Sequence, residues 1–405
     1  VSPPGGEPRR LVELDVLRGF ALSGILLVNA LLMAGPDVVH GGGPGAPAVD
    51  RVAAWAVTAL VTTKFYLLFS FLFGCSFVFQ ARSARRAGAA FAPRHLRRTA
   101  ALFVIGLLHA VLLFPGDILT TYAMLGLVLY GLRGLRPRAA LRLAAVLLAA
   151  VAAVLLGYGL LTAALTAPAA PGPVPAGGTA AYRGGAASVV AAHLGDLPAA
   201  LAANLLYAPD MLAAFLAGLA AARSGLVERR GRDRAWLRGA VVRLLPAGLA
   251  GGVVAACCAN GPLDGRWFLT GRAVAVLTAP ALTAAYACGL LLLLDPRGPA
   301  ARVLASAGRM ALSHYLAQSL VLACVFTGYG FALYGRLGTA AVLAGCVPLY
   351  GAQLALGALW AGRARYGPAE LLLRTVTRGR RPGRDGSTSP GPRPARPAAG
   401  PRPAP

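Results

Sequence analysis

The sequence predicts an all-α integral membrane protein with about ten transmembrane helices and both ends in the cytoplasm. Three observations carry this. Hydrophobic residues make up 57% of the 405 and charged residues 13%, roughly half the charged share of a soluble domain. The apolar residues gather in runs long enough to cross a bilayer core, roughly 17–25 residues each. The arginines gather in the short segments between alternate runs, the distribution that orients membrane helices.

The first run covers 16–34. It is longer than the apolar stretch of a cleaved leader, about 7–15 residues, and it carries Asp15, Arg18 and Asn29. It is therefore expected to remain as a span. Further spans are expected near 55–80, 99–114, 118–132, 143–166, 204–222, 244–260, 273–294, 310–327 and 339–361. The third and fourth are short and separated only by Pro115-Gly116-Asp117, so they are either two spans or a re-entrant hairpin. The stretch 167–203 opens with Pro168, Pro171, Pro173 and Pro175 and reads as the longest outer loop. Residues 379–405 are mostly Pro, Arg and Gly. They hold too little apolar surface to fold and are expected to be a disordered cytoplasmic tail. The chain thus divides into a five-span half (1–166), an extracytoplasmic loop (167–203), a second five-span half (204–378) and the tail (379–405).

Charge placement tests this layout independently. Twenty arginines fall in the four loops assigned to the inside and five in those assigned to the outside, as the positive-inside rule requires. The net charge of +25 is then a membrane signature. No basic amphipathic face or nucleic-acid module accompanies it, so nucleic acid is not an expected partner. The bilayer is. The six cysteines all lie inside apolar runs without metal or redox spacing and read as packing residues. No metal site and no resident cofactor is expected.

A charge at bilayer depth costs about 2.5–3.5 kcal/mol on insertion scales, so each one needs a partner or a purpose. Asp15 and Arg18 stand at i and i+3, where they pair on one helix face. Asn29 follows Arg18 by eleven residues, three full turns, and shares that face. Lys64 is the only lysine. It sits near mid-membrane ahead of an aromatic run, and Asp117 and Asp210 are its expected partners. His109 lies in the middle of the third span, where a histidine serves as general base, proton relay or interhelical bond. His314 and Gln318 share a face at i and i+4. Asp210 follows Pro209, where a kink is expected. His40 lies among glycines in the first outer loop. No Walker loop, dinucleotide fingerprint, nucleophile elbow or zinc-protease motif is present.

Five ordered blocks resemble a known family. Leu14-Asp15-Val16-Leu17-Arg18-Gly19 opens the first span. Lys64-Phe65 runs to Leu72-Phe73-Gly74. Leu108-His109 precedes Gly116-Asp117-Ile118-Leu119. Gly308-Arg309-Met310-Ala311-Leu312-Ser313-His314-Tyr315-Leu316 is followed by Gln318-Ser319. Gly367-Pro368, Glu370, Leu373-Arg374 and Thr377 close the pattern. Together they resemble the YeiB-like family of bacterial membrane proteins, whose C-terminal half is domain-of-unknown-function family 418. The family usually has Asn where this chain has His314. Its first span also resembles those of transmembrane acyltransferases, which pass an acyl group from a cytosolic donor such as acyl-CoA to a sugar or lipid acceptor. One branch of that group has Arg, then His eleven residues on; here that position is Asn29. A second branch has Asn there and His a further eleven on, the spacing of His40. The resemblance implies a multi-pass protein of the bacterial cytoplasmic membrane. In an acyltransferase, His109 or His40 would be the base, and Arg18 would hold the donor with Asp15, Asn29, Lys64, Asp117, Asp210, His314 and Gln318 around the path. The alternative is a transporter of a small or lipid-like solute, with five-span halves in inverted topology and a helix break at Pro209-Asp210.

Overall fold

Apolar runs become helices because a bilayer offers the backbone no hydrogen-bond partners, so each segment must satisfy its own. The computed structural model describes residues 12–42, 45–166, 177–364 and 366–378. The prolines at 168, 171, 173 and 175 and the tail from 379 lie outside them. The described residues hold helices and turns and no strand.

Fifteen helices follow one another: α1 (Val12–Ala34), α2 (Ala48–Leu60), α3 (Lys64–Arg86), α4 (Phe91–Leu112), α5 (Leu119–Gly131), α6 (Pro137–Leu165), α7 (Gly177–Arg183), α8 (Ala186–Arg223), α9 (Leu226–Arg230), α10 (Arg234–Asn260), α11 (Phe268–Leu293), α12 (Pro299–Arg309), α13 (Ala311–Phe326), α14 (Thr339–Ala361) and α15 (Pro368–Arg378). Eight segments among the described residues are long and apolar enough to cross a membrane, and the α12–α13 pair makes a ninth if counted as one bent span. The remaining expected span, 118–132, is α5. Its 13 residues cover about 20 Å at 1.5 Å each, short of a bilayer core of about 30 Å.

Two other expectations are corrected. The stretch 167–203 is not a loop throughout, because α7 begins at Gly177 and α8 at Ala186. Residues 186–203 are rich in alanine, the strongest helix former, and extend the sixth span outward. No break occurs at Pro209: α8 runs through it to Arg223, since neighbouring helices make proline tolerable inside a membrane helix. The break lies instead between α2 and α3. Val61-Thr62-Thr63 is a run of three β-branched residues, stiff and weakly helical, and Thr63 adopts a φ of 78°.

Helix contacts rely on small residues that let backbones approach. A Cβ on Gly218 of α8 would overlap the Phe71 carbonyl of α3, and one on Gly74 would overlap the Phe215 carbonyl. The same device joins α1 to α12, where Gly308 faces the Asp15 carbonyl and Gly19 the Leu304 carbonyl. Beside the α3–α8 contact, Phe73 stacks on Phe215 at 4.6 Å and Tyr122 of α5 meets Phe215 edge-on at 5.2 Å. Gly218→Leu is expected to destabilise the bundle by about 3 kcal/mol, the upper range for overpacking. Thermal unfolding in detergent checks it; an unchanged midpoint would mean that these helices do not touch there.

The outward faces are apolar. Val154 and Leu165 of α6 are 70% and 75% exposed, too much contiguous grease for a water-facing helix. Antiparallel connection of the spans brings the ends near residues 86–94, 131–142, 223–243 and 293–302 to the end of the bundle where α1 begins. That end carries most of the arginines.

The polar centres inside the bundle

Four groups of polar side chains are closed off within the helices. The first sits on the α4–α5 hairpin. α4 presents His109, and the turn that follows folds back so that Asp117 Oδ1 lies 2.9 Å from His109 Nδ1, both side chains 1% exposed. The contact has ion-pair distance without hydrogen-bond alignment. Asp117 Oδ2 accepts from the Thr120 amide at 2.8 Å, which caps α5. Asn204 of α8 donates to the Asp117 carbonyl at 2.8 Å. Gly106, one turn before His109, is required by this packing: a Cβ there would stand 2.7 Å from Asp117 Oδ2 and from the Thr120 amide. Tyr315 of α13 covers the imidazole, ring centroids 5.0 Å apart. His109 Nε2 is buried with no hydrogen-bond partner among the described residues.

The second centre lies at the α2–α3 break. Arg272 of α11 donates through Nη2 to Asp210 Oδ2 at 3.2 Å and through Nη1 to Thr63 Oγ1 at 3.0 Å. Tyr66 of α3 donates to the same Asp210 oxygen at 2.6 Å, and Tyr207 of α8 lies under the guanidinium at 4.1 Å. The Arg272 and Asp210 side chains are 8% and 0% exposed. Lys64 does not pair with Asp117 or Asp210 as expected. His109 holds the one and Arg272 the other, while Lys64, 2% exposed, donates through Nζ to the Thr58 carbonyl at 3.0 Å.

The third centre is near the arginine-rich end. Arg18 pairs with Asp15 at 2.7 Å and reaches Ser76 Oγ of α3 at 2.6 Å. Asn29 is half-buried farther along the same helix. The fourth joins α13 to α14: Gln318 donates to Gln353 at 2.8 Å, and Gln353 donates to the His314 carbonyl at 3.3 Å. The His314 ring faces Gly357 of α14. At the nearby α12–α13 bend of 79°, the Glu370 carboxylate of α15 accepts from the Leu312 and Ser313 amides at 2.7 and 3.2 Å, satisfying donors left open where a helix starts. His40 stands apart from these groups. It is exposed, with Nδ1 3.2 Å from Asn260 Oδ1.

Arg272, Ser76, Gln353, Tyr66 and Tyr207 escape a reading of the sequence for site residues. Arg272 falls just before the expected span 273–294, yet it lies four residues inside α11. Among the described residues no three His, Cys, Asp or Glu side chains are placed to hold a metal ion, and all six cysteines are free thiols.

Long apolar helices, lipid-facing outer surfaces and paired charges in the interior define a polytopic helical membrane protein. Residues 221–380 match the family described as protein of unknown function DUF418. The chain is 29% identical over 395 residues to the uncharacterised protein YxaH of Bacillus subtilis, covering 91% of this chain and 94% of that one. It is 28% identical over 386 residues to the uncharacterised protein YeiB of Escherichia coli, covering 91% and 96%. No solved structure matches it. Its C-terminal part thus matches DUF418, and nearly its whole length is similar to the uncharacterised YeiB and YxaH proteins.

Proposed function

We propose that this protein is an acyltransferase of the bacterial cytoplasmic membrane, with ten membrane-embedded segments in two five-span halves and both ends inside. It moves an acyl group from a cytosolic thioester such as acyl-CoA to a hydroxyl or amine on a sugar or lipid acceptor. The observation that carries this reading is the buried His109–Asp117 pair, 2.9 Å apart, with Nε2 of the imidazole unpartnered. A carboxylate beside one ring nitrogen selects the tautomer whose other nitrogen is a base.

In the reaction, His109 Nε2 takes the proton of the acceptor O–H or N–H. The acceptor atom attacks the donor carbonyl, the C–S bond breaks, and the proton passes from His109 to the departing thiolate. Asp117 holds the ring and stabilises the imidazolium. Arg18 binds the donor phosphates at the arginine-rich end. By helical rise it lies about 9 Å along α1, and His109 about 27 Å along α4, so the acyl-bearing arm of the donor reaches inward between them.

The test is to incubate the purified protein with radiolabelled acetyl-CoA and membranes. Transfer of label that is lost in His109→Ala by about 10²–10⁴-fold and reduced in Arg18→Ala is the expected result. No transfer from any acyl donor overturns it.

A second reading, a transporter, is favoured by one observation: the α2–α3 helix is interrupted at 61–63 beside the buried Asp210–Arg272 pair, and interrupted helices bind solutes in many transporters. Solute counterflow in liposomes, without label transfer, supports it.

A further inference from the structure

At the arginine-rich end, the starts of α1, α10 and α12 and the end of α11 leave a cavity of about 180 Å³ between them. Drug-sized ligands occupy roughly 300–1,000 Å³, so this space suits a smaller group. Its lining includes the apolar Val16, Leu291 and Leu294 and the charged Glu13, Arg232 and Arg234.

Glu13 is the unusual member. It is 5% exposed although it stands on the second residue of α1. Arg232 Nε holds its Oε1, and its Oε2 is buried with no hydrogen-bond partner among the described residues. A desolvated carboxylate oxygen without a donor is costly, and Glu13 is one of the residues that line the cavity. Arg234 lines the cavity and is exposed, and the Arg232 side chain is 55% exposed. The site therefore offers one acceptor inside and anion-binding groups outside. Leu291 of α11 and Leu294 just past its end line the cavity, and Leu293 between them is 85% exposed, so apolar side chains continue from the cavity onto the outer surface at this end of the helix.

We infer that this cavity binds the headgroup of an ammonium-bearing phospholipid, of the phosphoethanolamine type, from the leaflet at the arginine-rich end. The ammonium donates to Glu13 Oε2, the phosphate lies against Arg234 and the free guanidinium edge of Arg232, and the acyl chains follow α11. A trimethylated headgroup has no N–H to give, and a hydroxyl headgroup supplies a neutral donor in place of a charged one. Charge-assisted bonds are the stronger, so the site ranks phosphoethanolamine lipid above both. This assignment is independent of the acyl-transfer reading, and its readout is not activity.

The experiment equilibrates the full-length protein in mixed micelles with equal amounts of dioleoyl phosphatidylethanolamine, phosphatidylcholine and phosphatidylglycerol, removes free lipid, and measures retained lipid by native mass spectrometry. Retention of the ethanolamine lipid about tenfold over the choline lipid is expected, with the ratio falling toward one in Glu13→Gln. Arg234→Gln is expected to lower retention of all three. Equal retention of ethanolamine and choline lipids by the wild type overturns the proposal whatever the variants do. So does an unchanged ratio in a Glu13→Gln protein whose melting temperature matches the wild type. Soluble O-phosphoethanolamine at millimolar concentration is the third arm. Failure to displace the retained lipid supports a lipid site; binding without any lipid preference overturns it in favour of the free headgroup.

Discussion

Asp210→Ala is expected to destabilise the folded bundle by about 3–5 kcal/mol, the penalty for stripping one partner from a buried ion pair. The carboxylate is wholly buried and Arg272 nearly so. Without Asp210, the guanidinium keeps Thr63 Oγ1 and the Tyr66 hydroxyl as neighbours, both neutral. The adjacent Lys64 adds a second cation with only a backbone carbonyl to hold it. The carboxylate therefore compensates two buried cations, and its loss should hurt more than loss of either. Arg272→Met alone should cost less, because Asp210 can take up a proton and become neutral. The double variant Asp210→Leu/Arg272→Met should recover most of the loss, since a buried pair replaced by packed apolar groups is often close to neutral. Chemical denaturation in detergent gives all three values, and the coupling follows from the cycle. A single-variant loss below about 1 kcal/mol, the range of exposed pairs, would mean that water reaches Arg272 and that the α2–α3 break opens into a wet cavity. That outcome would also strengthen the transport reading.

The helices were legible where an apolar run ends in arginines. α1, α6, α10 and α14 follow from Val16–Ala34 and its counterparts because lipid leaves such a segment no alternative to helix. Asp15 and Arg18 were legible as a pair because their partnership is local, i and i+3. What the sequence hid was long-range. Asp210 and Arg272 are 62 residues apart, and an arginine inside an apolar run looks like the edge of a loop until the carboxylate that neutralises it is known. Lys64 was read as needing a carboxylate. Its position at the first residue of α3 lets it bond the Thr58 carbonyl instead, a group freed only by a break that three β-branched residues hint at and do not prove. The start of α8 was obscured because its alanines favour helix while the glycines and prolines around them favour a loop. His109 and Asp117 were each singled out, yet their contact depends on how sharply the hairpin turns, and Gly106 sets that from one turn away.

Asp117→Asn should separate the chemistry of the hairpin from its structure. The asparagine is nearly the size of the aspartate and keeps one carbonyl oxygen, enough to accept from the Thr120 amide and preserve the cap on α5. The atom left facing His109 Nδ1 is then the amide nitrogen, a donor. It forces the imidazole into the tautomer with its proton on Nε2, the nitrogen that must be bare to act as a base. In the Ser-His-Asp arrangement the same exchange lowers kcat about 10⁴-fold with the geometry intact, so label transfer from acetyl-CoA is expected to fall by about 10³–10⁴-fold while the melting temperature moves little. Asp117→Ala should behave differently. It removes the cap as well, costing about 1 kcal/mol, but leaves the ring free to adopt either tautomer, so it should lower the melting temperature more and the rate less. A reversal of that order, with Asn active within tenfold of the wild type and Ala inactive, would reduce Asp117 to a helix cap and leave His109 without its orienting carboxylate.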